Sequence, residues 1–241
     1  MAAEHKGLVI VTGCSSGIGL ETVIQLSKAG YATLALARRV EKLPSDLANS
    51  LSVGCDVTDL ASFLAAVKQA EERFGPAEAI INNAGAMMLG RVETQDPSEW
   101  STMLNANVIG VLNGMKAVLQ GFYERKRGTV INVSSIAGRK LFSDHSVYCA
   151  TKFAVHALTE GVREEAAAHN VRCVCIAPGV VETELLSHTS SDKIKTGYEA
   201  WKTTIDPLQS IDIAECILFV LSRPAHVCIR EMVIGPTKQA P

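Results

Sequence analysis

A buried strand and a glycine-rich turn adjoin near the start of the chain, in the stretch Leu8-Val9-Ile10-Val11-Thr12-Gly13-Cys14-Ser15-Ser16-Gly17-Ile18-Gly19. The first four residues are apolar throughout, as in a parallel strand covered on both faces. Glycines after such a strand allow a tight turn, and the helix that follows offers its positive end to a pyrophosphate. The Gly-x3-Gly-x-Gly spacing departs from the usual Gly-x-Gly-x2-Gly. The stretch predicts a dinucleotide-binding turn, and a turn without a ligand is the alternative.

The alternation of apolar runs and helical stretches continues almost to the end of the chain. Further strands are predicted at residues 32–37, 51–55, 79–81, 129–133, 171–177 and 232–234, all short and buried. Helical periodicity marks residues 17–29, 60–74, 111–127, 147–169 and 211–222. Strand–helix alternation implies right-handed crossovers and a doubly wound parallel sheet. The sequence therefore predicts an α/β protein with one domain over residues 1–241.

The amino-acid composition indicates what kind of protein this is and which kinds of partner it is expected to bind. Hydrophobic residues make up 47% of the 241 residues and charged residues 20%, which predicts a globular fold with a large core. A formal net charge of −2 gives no general attraction to nucleic acid or to an anionic membrane. No apolar run is long enough to span a bilayer, and the polar start at residues 1–6 does not resemble a secretory signal.

Cysteine usage predicts a reducing compartment, most simply the cytoplasm. The seven cysteines are scattered, and their odd number leaves at least one thiol outside any intramolecular pair. Cys173 and Cys175 would share one face of a strand, which suits small core residues better than a metal site. No metal is therefore predicted.

The end of the second strand indicates which dinucleotide is bound. NAD-binding folds usually present an acidic residue there, whereas this chain has Arg38 and Arg39. A guanidinium pairs with a 2′-phosphate that a carboxylate would repel, so we expect NADP(H), with surface charge as the alternative. Ser15 or Ser16 would add a hydroxyl contact to the same 2′-phosphate. The residues expected to contact the cofactor are Gly13, Ser15, Ser16, Gly17, Ile18, Gly19, Arg38, Arg39, Asp56, Val57, Asn83, Ala84, Gly85, Tyr148, Lys152, Pro178, Gly179, Val181 and Thr183.

Tyr148 and Lys152 lie four residues apart and share one face of a predicted helix. A free phenol has a pKa of about 10, and a nearby cation favours the phenolate. Tyr148 would then exchange a proton with a substrate oxygen while a nicotinamide transfers hydride. Ser135, at the end of the fifth strand, would hold that oxygen. Asn107 would anchor a water that connects Lys152 to solvent, or would be a satisfied helix residue.

Two more residues are candidates for substrate contact, and one segment is a candidate lid. Arg139 would attract an acidic substrate, although surface charge is the alternative, and His145 would touch substrate or cap the helix. Residues 182–208 are polar and follow the sixth strand. Ligands bind outside the carboxyl ends of strands in open α/β sheets, so this segment is predicted to be a helical substrate lid, with a solvated excursion as the alternative.

The combined motifs resemble the short-chain dehydrogenase/reductase family over essentially the whole chain. Thr-Gly-x3-Gly-Ile-Gly, Asn-Asn-Ala-Gly, an early-helix Asn, Ser-x12-Tyr-x3-Lys and Pro-Gly-x3-Thr occur in family order. The resemblance implies a Rossmann-type sheet of order 3-2-1-4-5-6-7 and a catalytic tetrad of Asn107, Ser135, Tyr148 and Lys152. It also implies a homodimer or homotetramer that oxidises an alcohol or reduces an aldehyde or ketone. The end of the chain, residues 230–239, is similar to an NADP-dependent branch that includes bacterial hydroxy-acid dehydrogenases and clavulanate-type aldehyde reductases.

Two other functions share part of this pattern. Nucleotide-sugar epimerases have Tyr-x3-Lys, but they usually carry Gly-x2-Gly-x2-Gly and a larger C-terminal domain. A regulator or scaffold that binds NADP(H) without turnover usually lacks the Tyr or the Lys, and this chain retains both. The sequence favours an enzyme acting on a small molecule.

Overall fold

Seven strands form one parallel sheet in the computed structural model, which describes residues 5–239. In chain order they are β1 (Leu8–Thr12), β2 (Ala32–Ala37), β3 (Ser50–Gly54), β4 (Ala77–Asn82), β5 (Gly128–Val133), β6 (Val171–Pro178) and β7 (Glu231–Ile234). Their order across the sheet is β3-β2-β1-β4-β5-β6-β7, which confirms the predicted doubly wound α/β fold. Residues 1–4, 240 and 241, which include part of the polar start and the end of the predicted domain, lie outside the described residues.

Helices cover both faces of the sheet. They are α1 (Gly17–Lys28), α2 (Leu60–Phe74), α3 (Pro97–Leu104), α4 (Gly110–Arg125), α5 (Ser146–Ala167), α6 (Asp192–Lys202) and α7 (Ser210–Leu221). Apolar side chains of α1 and α7 pack on one face, and those of α2, α4 and α5 pack on the other. The two layers bury the central strands completely, as their uniformly apolar sequences predict.

The two edge strands differ from the prediction of buried strands. β3 and β7 alternate between partly buried and exposed residues, because each has a neighbouring strand on one side only. The short helix α3 lies where no helix was predicted, whereas α6 lies within the predicted helical lid segment, residues 182–208. Asp96 caps α3 by accepting a hydrogen bond from the backbone N–H of Ser98 at 2.8 Å, and Pro97 fits its first turn.

The predicted lid segment, residues 182–208, lies over the carboxyl ends of the strands. It consists of a 3₁₀ turn at Glu184–His188 followed by α6. Apolar side chains of this segment, including Leu186, join a small core with Met87 and Tyr148. A bridge between Val181 and Leu208 connects the two ends of the segment. This position brings the segment to the edge of the sheet where a ligand was expected.

Over residues 5–239, no helix is both long enough and apolar enough to cross a membrane. The helix α5 has 22 residues, but it carries polar and charged side chains throughout its length.

Candidate active site

A cavity of about 960 Å³ runs along the carboxyl ends of the strands. Its walls come from the turns after β1, β2, β3, β4, β5 and β6 and from the 182–208 segment. Its volume is at the upper end of the range for small-molecule and cofactor sites. Most of the residues singled out from the sequence lie on its walls, and three do not: Gly19, Asn107 and Arg139.

The glycine-rich turn is held against the end of β4. The hydroxyl of Thr12 accepts hydrogen bonds from the backbone N–H groups of Asn83 at 3.0 Å and Ala84 at 2.9 Å. The Asn83 amide donates to the carbonyl of Thr12 at 3.0 Å. Gly13 has a φ of 71°, and a Cβ there would lie 2.7 Å from the Ala84 Cα. The Asn83 side chain therefore fixes the turn, and Ala84 and Gly85 form the cavity wall.

The first turn of α1 faces the cavity with Ser16, Gly17 and Ile18. Ser16 is the N-cap residue, and its hydroxyl forms no capping bond within the helix, so it is available to a ligand. Gly19 lies behind this surface, where a Cβ would overlap the carbonyl oxygen of Gly13. Its predicted contact with the cofactor is therefore corrected to a packing role, because it allows the helix to approach the turn.

Both arginines after β2 line the cavity. Arg39 donates to the Ser15 hydroxyl and to the Glu184 carboxylate, each at 3.3 Å, and Lys42 lies 3.6 Å from the same carboxylate. Glu184 belongs to the 182–208 segment and was not predicted. The carboxylate therefore occupies the anion position that a 2′-phosphate would need at Arg39.

Asp56 and Val57, directly after β3, line the same end of the cavity. The Asp56 carboxylate accepts hydrogen bonds from the backbone N–H and the hydroxyl of Thr58, at 2.9 and 2.8 Å. These bonds hold the pKa of Asp56 below its usual value, and the positive charge of Arg38 adds to the effect. Asp56 is therefore ionised at neutral pH.

Pro178, Gly179, Val181 and Thr183 line the cavity after β6, as predicted for the nicotinamide end. Gln239 also lines it, and its side-chain oxygen accepts a hydrogen bond from the backbone N–H of Val180 at 3.1 Å. This role could not be predicted from the sequence, because Gln239 lies 59 residues away from Val180 along the chain. The C-terminal tail thus fixes the backbone of the loop after β6.

Tyr148 is buried at the inner end of the cavity, beside Ser135. Burial raises the pKa of Tyr148 above its usual value, and a hydrogen bond with Ser135 opposes that shift. The Ser135 hydroxyl accepts from the backbone N–H of Ala137 at 3.1 Å and lies 3.4 Å from the carbonyl oxygen of Pro178. Ser135 is therefore fixed in place next to the phenol, as its spacing from Tyr148 predicts.

Lys152 lies under the Tyr148 ring, with its Nζ atom 5.7 Å from the ring centroid. It donates a hydrogen bond to the carbonyl oxygen of Val133 at 3.1 Å. Burial lowers the pKa of Lys152 from 10.5 to about 8. The predicted lowering of the phenol pKa is wrong, because burial of the phenol makes the largest contribution to the shift and raises the pKa.

Asn107 lies in a π-helical turn, Asn105–Ile109, between α3 and α4 and not in a regular helix. Its side-chain oxygen accepts from the backbone N–H of Ala86 at 2.8 Å. Its amide donates to the Ala86 carbonyl and to the Thr151 hydroxyl, both at 2.9 Å. Both amide hydrogens are used, so the Asn107 side chain has a positioning role, and the water anchor stays a prediction. Asn107 connects the loop after β4 to the start of α5.

The two candidate substrate contacts have different surroundings. Arg139 lies outside the cavity and pairs with the Glu231 carboxylate at 2.9 Å, so its predicted attraction of an acidic substrate is wrong. His145 lines the cavity, and its ring centroid is 6.5 Å from that of Tyr148. It occupies the N-cap position of α5 but forms no capping hydrogen bond with its side chain. The contact interpretation therefore fits His145 better than the capping interpretation.

Cys175 shares its surroundings with His156 and Glu231, whose ligand atoms lie within 4.8 Å of one another. Glu231 is already paired with Arg139, and Lys152 adds positive charge nearby. Burial raises the pKa of both Cys173 and Cys175 to about 12, which keeps the thiols protonated. This chemistry fits core thiols and does not favour a cation.

Aromatic residues complete the inner end of the cavity, and two of them, Phe142 and Tyr198, were not predicted from the sequence. Tyr198 and Trp201 are three residues apart on α6, and their rings meet edge to face with centroids 5.4 Å apart. Phe142 lies in the loop before α5. The three-residue spacing within a polar segment was a signal for a shared helix face, but no feature of the sequence placed that face over Tyr148.

Known proteins share this architecture. The model of the short chain dehydrogenase family matches residues 7–194. The chain is 37% identical to an uncharacterised oxidoreductase of Staphylococcus saprophyticus, over 97% of each chain. It is 35% identical to the NADP-dependent 3-hydroxy acid dehydrogenase of Schizosaccharomyces pombe, over 96% of this chain and 93% of the other. Among solved structures, it is similar to the closed form of serine dehydrogenase complexed with NADP+. That similarity has a TM-score of 0.89 and 27% identity, and it covers 97% of this chain and 96% of the other.

The family match covers more than half of the chain, and the curated relatives extend over nearly all of it. The order of the strands agrees with that match. The chain is an oxidoreductase that belongs to the short-chain dehydrogenase family.

Proposed function

We propose that the protein interconverts an alcohol and an aldehyde or ketone, using NADP(H). The observation that carries this proposal is the placement of Tyr148, Ser135 and Lys152 at one end of a cavity whose other end holds Arg38, Arg39 and the glycine-rich turn. NADP(H) supplies hydride chemistry when bound, and the protein supplies binding, orientation and proton transfer.

Tyr148 would act as the general acid in the direction of reduction. Its raised pKa keeps the phenol protonated at neutral pH, so a proton is available for a carbonyl oxygen that gains negative charge. The Ser135 hydroxyl lies beside the phenol and would hold the same oxygen. Lys152, directly behind the ring, would stabilise the phenolate that remains after the proton has left.

The cavity end formed by Ser15, Arg38 and Arg39 would bind the 2′-phosphate of NADP(H). Arg39 already donates a hydrogen bond to an anionic partner, the Glu184 carboxylate, and it also donates to the Ser15 hydroxyl. A phosphate would replace the carboxylate at the same donors, because it offers more oxygens and more charge. Asp56 lies on the neighbouring wall, where it would face the adenine. Serine dehydrogenase and the 3-hydroxy acid dehydrogenase, which are named with NADP, support this choice.

Arg38→Ala is expected to weaken NADPH binding by about 10- to 100-fold, which corresponds to the loss of a charge-assisted hydrogen bond of about 1.5–3 kcal/mol. NADH, which has no 2′-phosphate, should bind equally to both proteins. The affinities are measured from the fluorescence of the reduced nicotinamide.

Arg230→Ala is the matched control, since Arg230 is exposed and precedes β7, at the opposite edge of the sheet. Its NADPH affinity should equal that of the unmodified protein. Equal binding of NADPH and NADH by the unmodified protein would remove the proposed phosphate site. Tight NADPH binding without turnover of any aldehyde, ketone or alcohol would favour the regulator.

Two parts of the proposal concern larger elements. We propose that residues 182–208 act as a lid, since they cover the inner end of the cavity and carry part of its wall. We also propose a homodimer or homotetramer that pairs α4 and α5 with their counterparts. Leu112 and Phe153, on these helices, are exposed apolar side chains that such pairing would cover. Light scattering is expected to give two or four times the 25.7 kDa chain mass, and a monomer mass would exclude the oligomer.

A further inference from the structure

Aromatic rings form much of the wall around the Tyr148 end of the cavity. The His145 ring lies between its neighbours, with centroid distances of 5.7 Å to Phe142 and 6.2 Å to Tyr198. Tyr198 in turn contacts Trp201, which stays 40% exposed at the mouth of the cavity. Met87, Ala137 and Leu186 continue the wall with apolar side chains. Such a surface packs well against a flat apolar group.

Charge on this end of the cavity is already compensated. Lys140 lies outside the cavity, with its Nζ atom 5.6 Å from the centroid of the Phe142 ring. Two ammonium groups of the described residues line the cavity, those of Lys152 and Lys202. The Nζ atom of Lys202 lies 2.9 Å from the Glu182 carboxylate and 2.7 Å from that of Glu199. Lys152 is buried behind the Tyr148 ring and donates to the Val133 carbonyl. Neither ammonium is therefore available to a substrate carboxylate.

The polar aromatic side chains of the wall are also neutral. Burial lowers the pKa of His145, so the imidazole carries no charge at pH 7. Burial raises the pKa of Tyr198 to about 12, so its phenol remains protonated. Arg139, which would have offered a guanidinium, lies outside the cavity. A carboxylate bound next to Tyr148 would lose its water without gaining a cationic partner, which is unfavourable.

We propose that the substrate is an uncharged carbonyl compound, or its alcohol, carrying an aryl or other flat apolar group that lies against His145, Tyr198 and Trp201. This inference rests on the proposed function and adds the substrate class. It separates this chain from the relatives named for a hydroxy acid and for serine, whose names describe substrates with a carboxylate.

A matched pair of aldehydes tests the charge of the substrate. Methyl 4-formylbenzoate and 4-formylbenzoate share an aryl aldehyde and differ in one negative charge. With NADPH, the ester is expected to have a kcat/KM at least about tenfold higher than the acid, since the site offers no partner for the carboxylate. Equal values, or a preference for the acid, would overturn the proposal.

Trp201→Ala tests the aromatic wall with the same ester and with propanal, which is too small to reach α6. The variant is expected to lower kcat/KM for the ester about tenfold and to leave the value for propanal within about twofold. Leu64→Ala is the control, because Leu64 is an exposed apolar residue on α2 outside the cavity. A Trp201 variant that treats the ester and propanal alike would overturn the aryl contact.

A binding experiment tests the substrate class independently of the proposed oxidoreductase chemistry. Methyl benzoate and benzoate, added to the protein with NADP+, are compared by quenching of the fluorescence of Trp100 and Trp201, and Trp201→Ala removes the nearer reporter. Tighter binding of methyl benzoate supports the substrate class even where no aldehyde is reduced. Equal or weaker binding of methyl benzoate overturns the substrate class, whereas absence of turnover with propanal, the ester and the acid overturns only the chemistry.

Discussion

Tyr148→Phe is expected to lower kcat about 10³-fold for reduction of an aldehyde, with NADPH affinity unchanged within about threefold. The substitution removes one oxygen and leaves the ring in its packed position between His145 and Lys152. The carbonyl oxygen then gains negative charge without a proton donor, and Ser135 alone remains beside it. Single-turnover kinetics with saturating NADPH measure the loss in the chemical step itself.

Tyr123→Phe is the matched control for this experiment. Tyr123 is half-buried near the end of α4, and its ring stacks on His169 with centroids 4.1 Å apart. It does not line the cavity, so kcat should stay within about twofold of the unmodified value. A Tyr148 variant that retains more than about one tenth of the activity would assign proton transfer to another group.

Local sequence determined the central strands of the fold. β1, β2 and β6 are mainly apolar and lie within the sheet, so burial on both faces leaves a signal in a short window. β3 and β7 have less apolar sequences because each lies at an edge of the sheet, where one side of the strand is open to solvent. The helix α6 begins in a polar stretch, and its apolar residues contact a cavity that forms only when the strands assemble. The position of the lid segment could be predicted, but the bounds of α6 and its contacts within the cavity had no local cause that the sequence could reveal.

The site divides in the same way. Spacing along the chain identified Ser135, Tyr148 and Lys152, because β5 and α5 are consecutive elements that carry them to one place. The partners of charged side chains could not be predicted from spacing along the chain. Arg139 turns to Glu231, which lies 92 residues away, and Arg39 meets Glu184 at a separation of 145 residues. The sign of the Tyr148 pKa shift also depends on burial, which follows from the packing of the whole chain.

Lys152 is expected to lower the free energy of unfolding, although the activity of the protein requires this residue. A folded pKa of about 8, against 10.5 for a free lysine, means that folding disfavours the protonated form by about 3 kcal/mol. At pH 7 both folded and unfolded states are protonated, so the full cost is present. Between pH 8 and pH 10.5 the folded protein binds fewer protons than the unfolded chain, so the free-energy cost of burying the charged Lys152 decreases as pH rises. Stability from this group therefore increases with pH over that interval.

Lys152→Met is expected to raise the free energy of unfolding at pH 7 by about 2 kcal/mol in the absence of cofactor. The gain of about 3 kcal/mol from removing the buried charge is reduced by about 1 kcal/mol, because the hydrogen bond to Val133 is lost. At pH 10 the gain should fall close to zero. Urea unfolding at both pH values measures the difference, and Lys68→Met, at an exposed lysine on α2, should change neither value by more than about 0.5 kcal/mol.

The same variant should lower kcat by at least about 10²-fold, because the phenolate left on Tyr148 loses its neighbouring cation. Activity and stability would then change in opposite directions at one residue, as expected where a catalytic site holds a charge that its surroundings disfavour. A destabilisation of equal size at pH 7 and pH 10 would show instead that folding leaves the pKa of Lys152 unchanged and that the side chain serves mainly as a hydrogen-bond donor to Val133. Loss of activity without any gain in stability at pH 7 would place the ammonium in contact with water, and the low pKa would then be wrong.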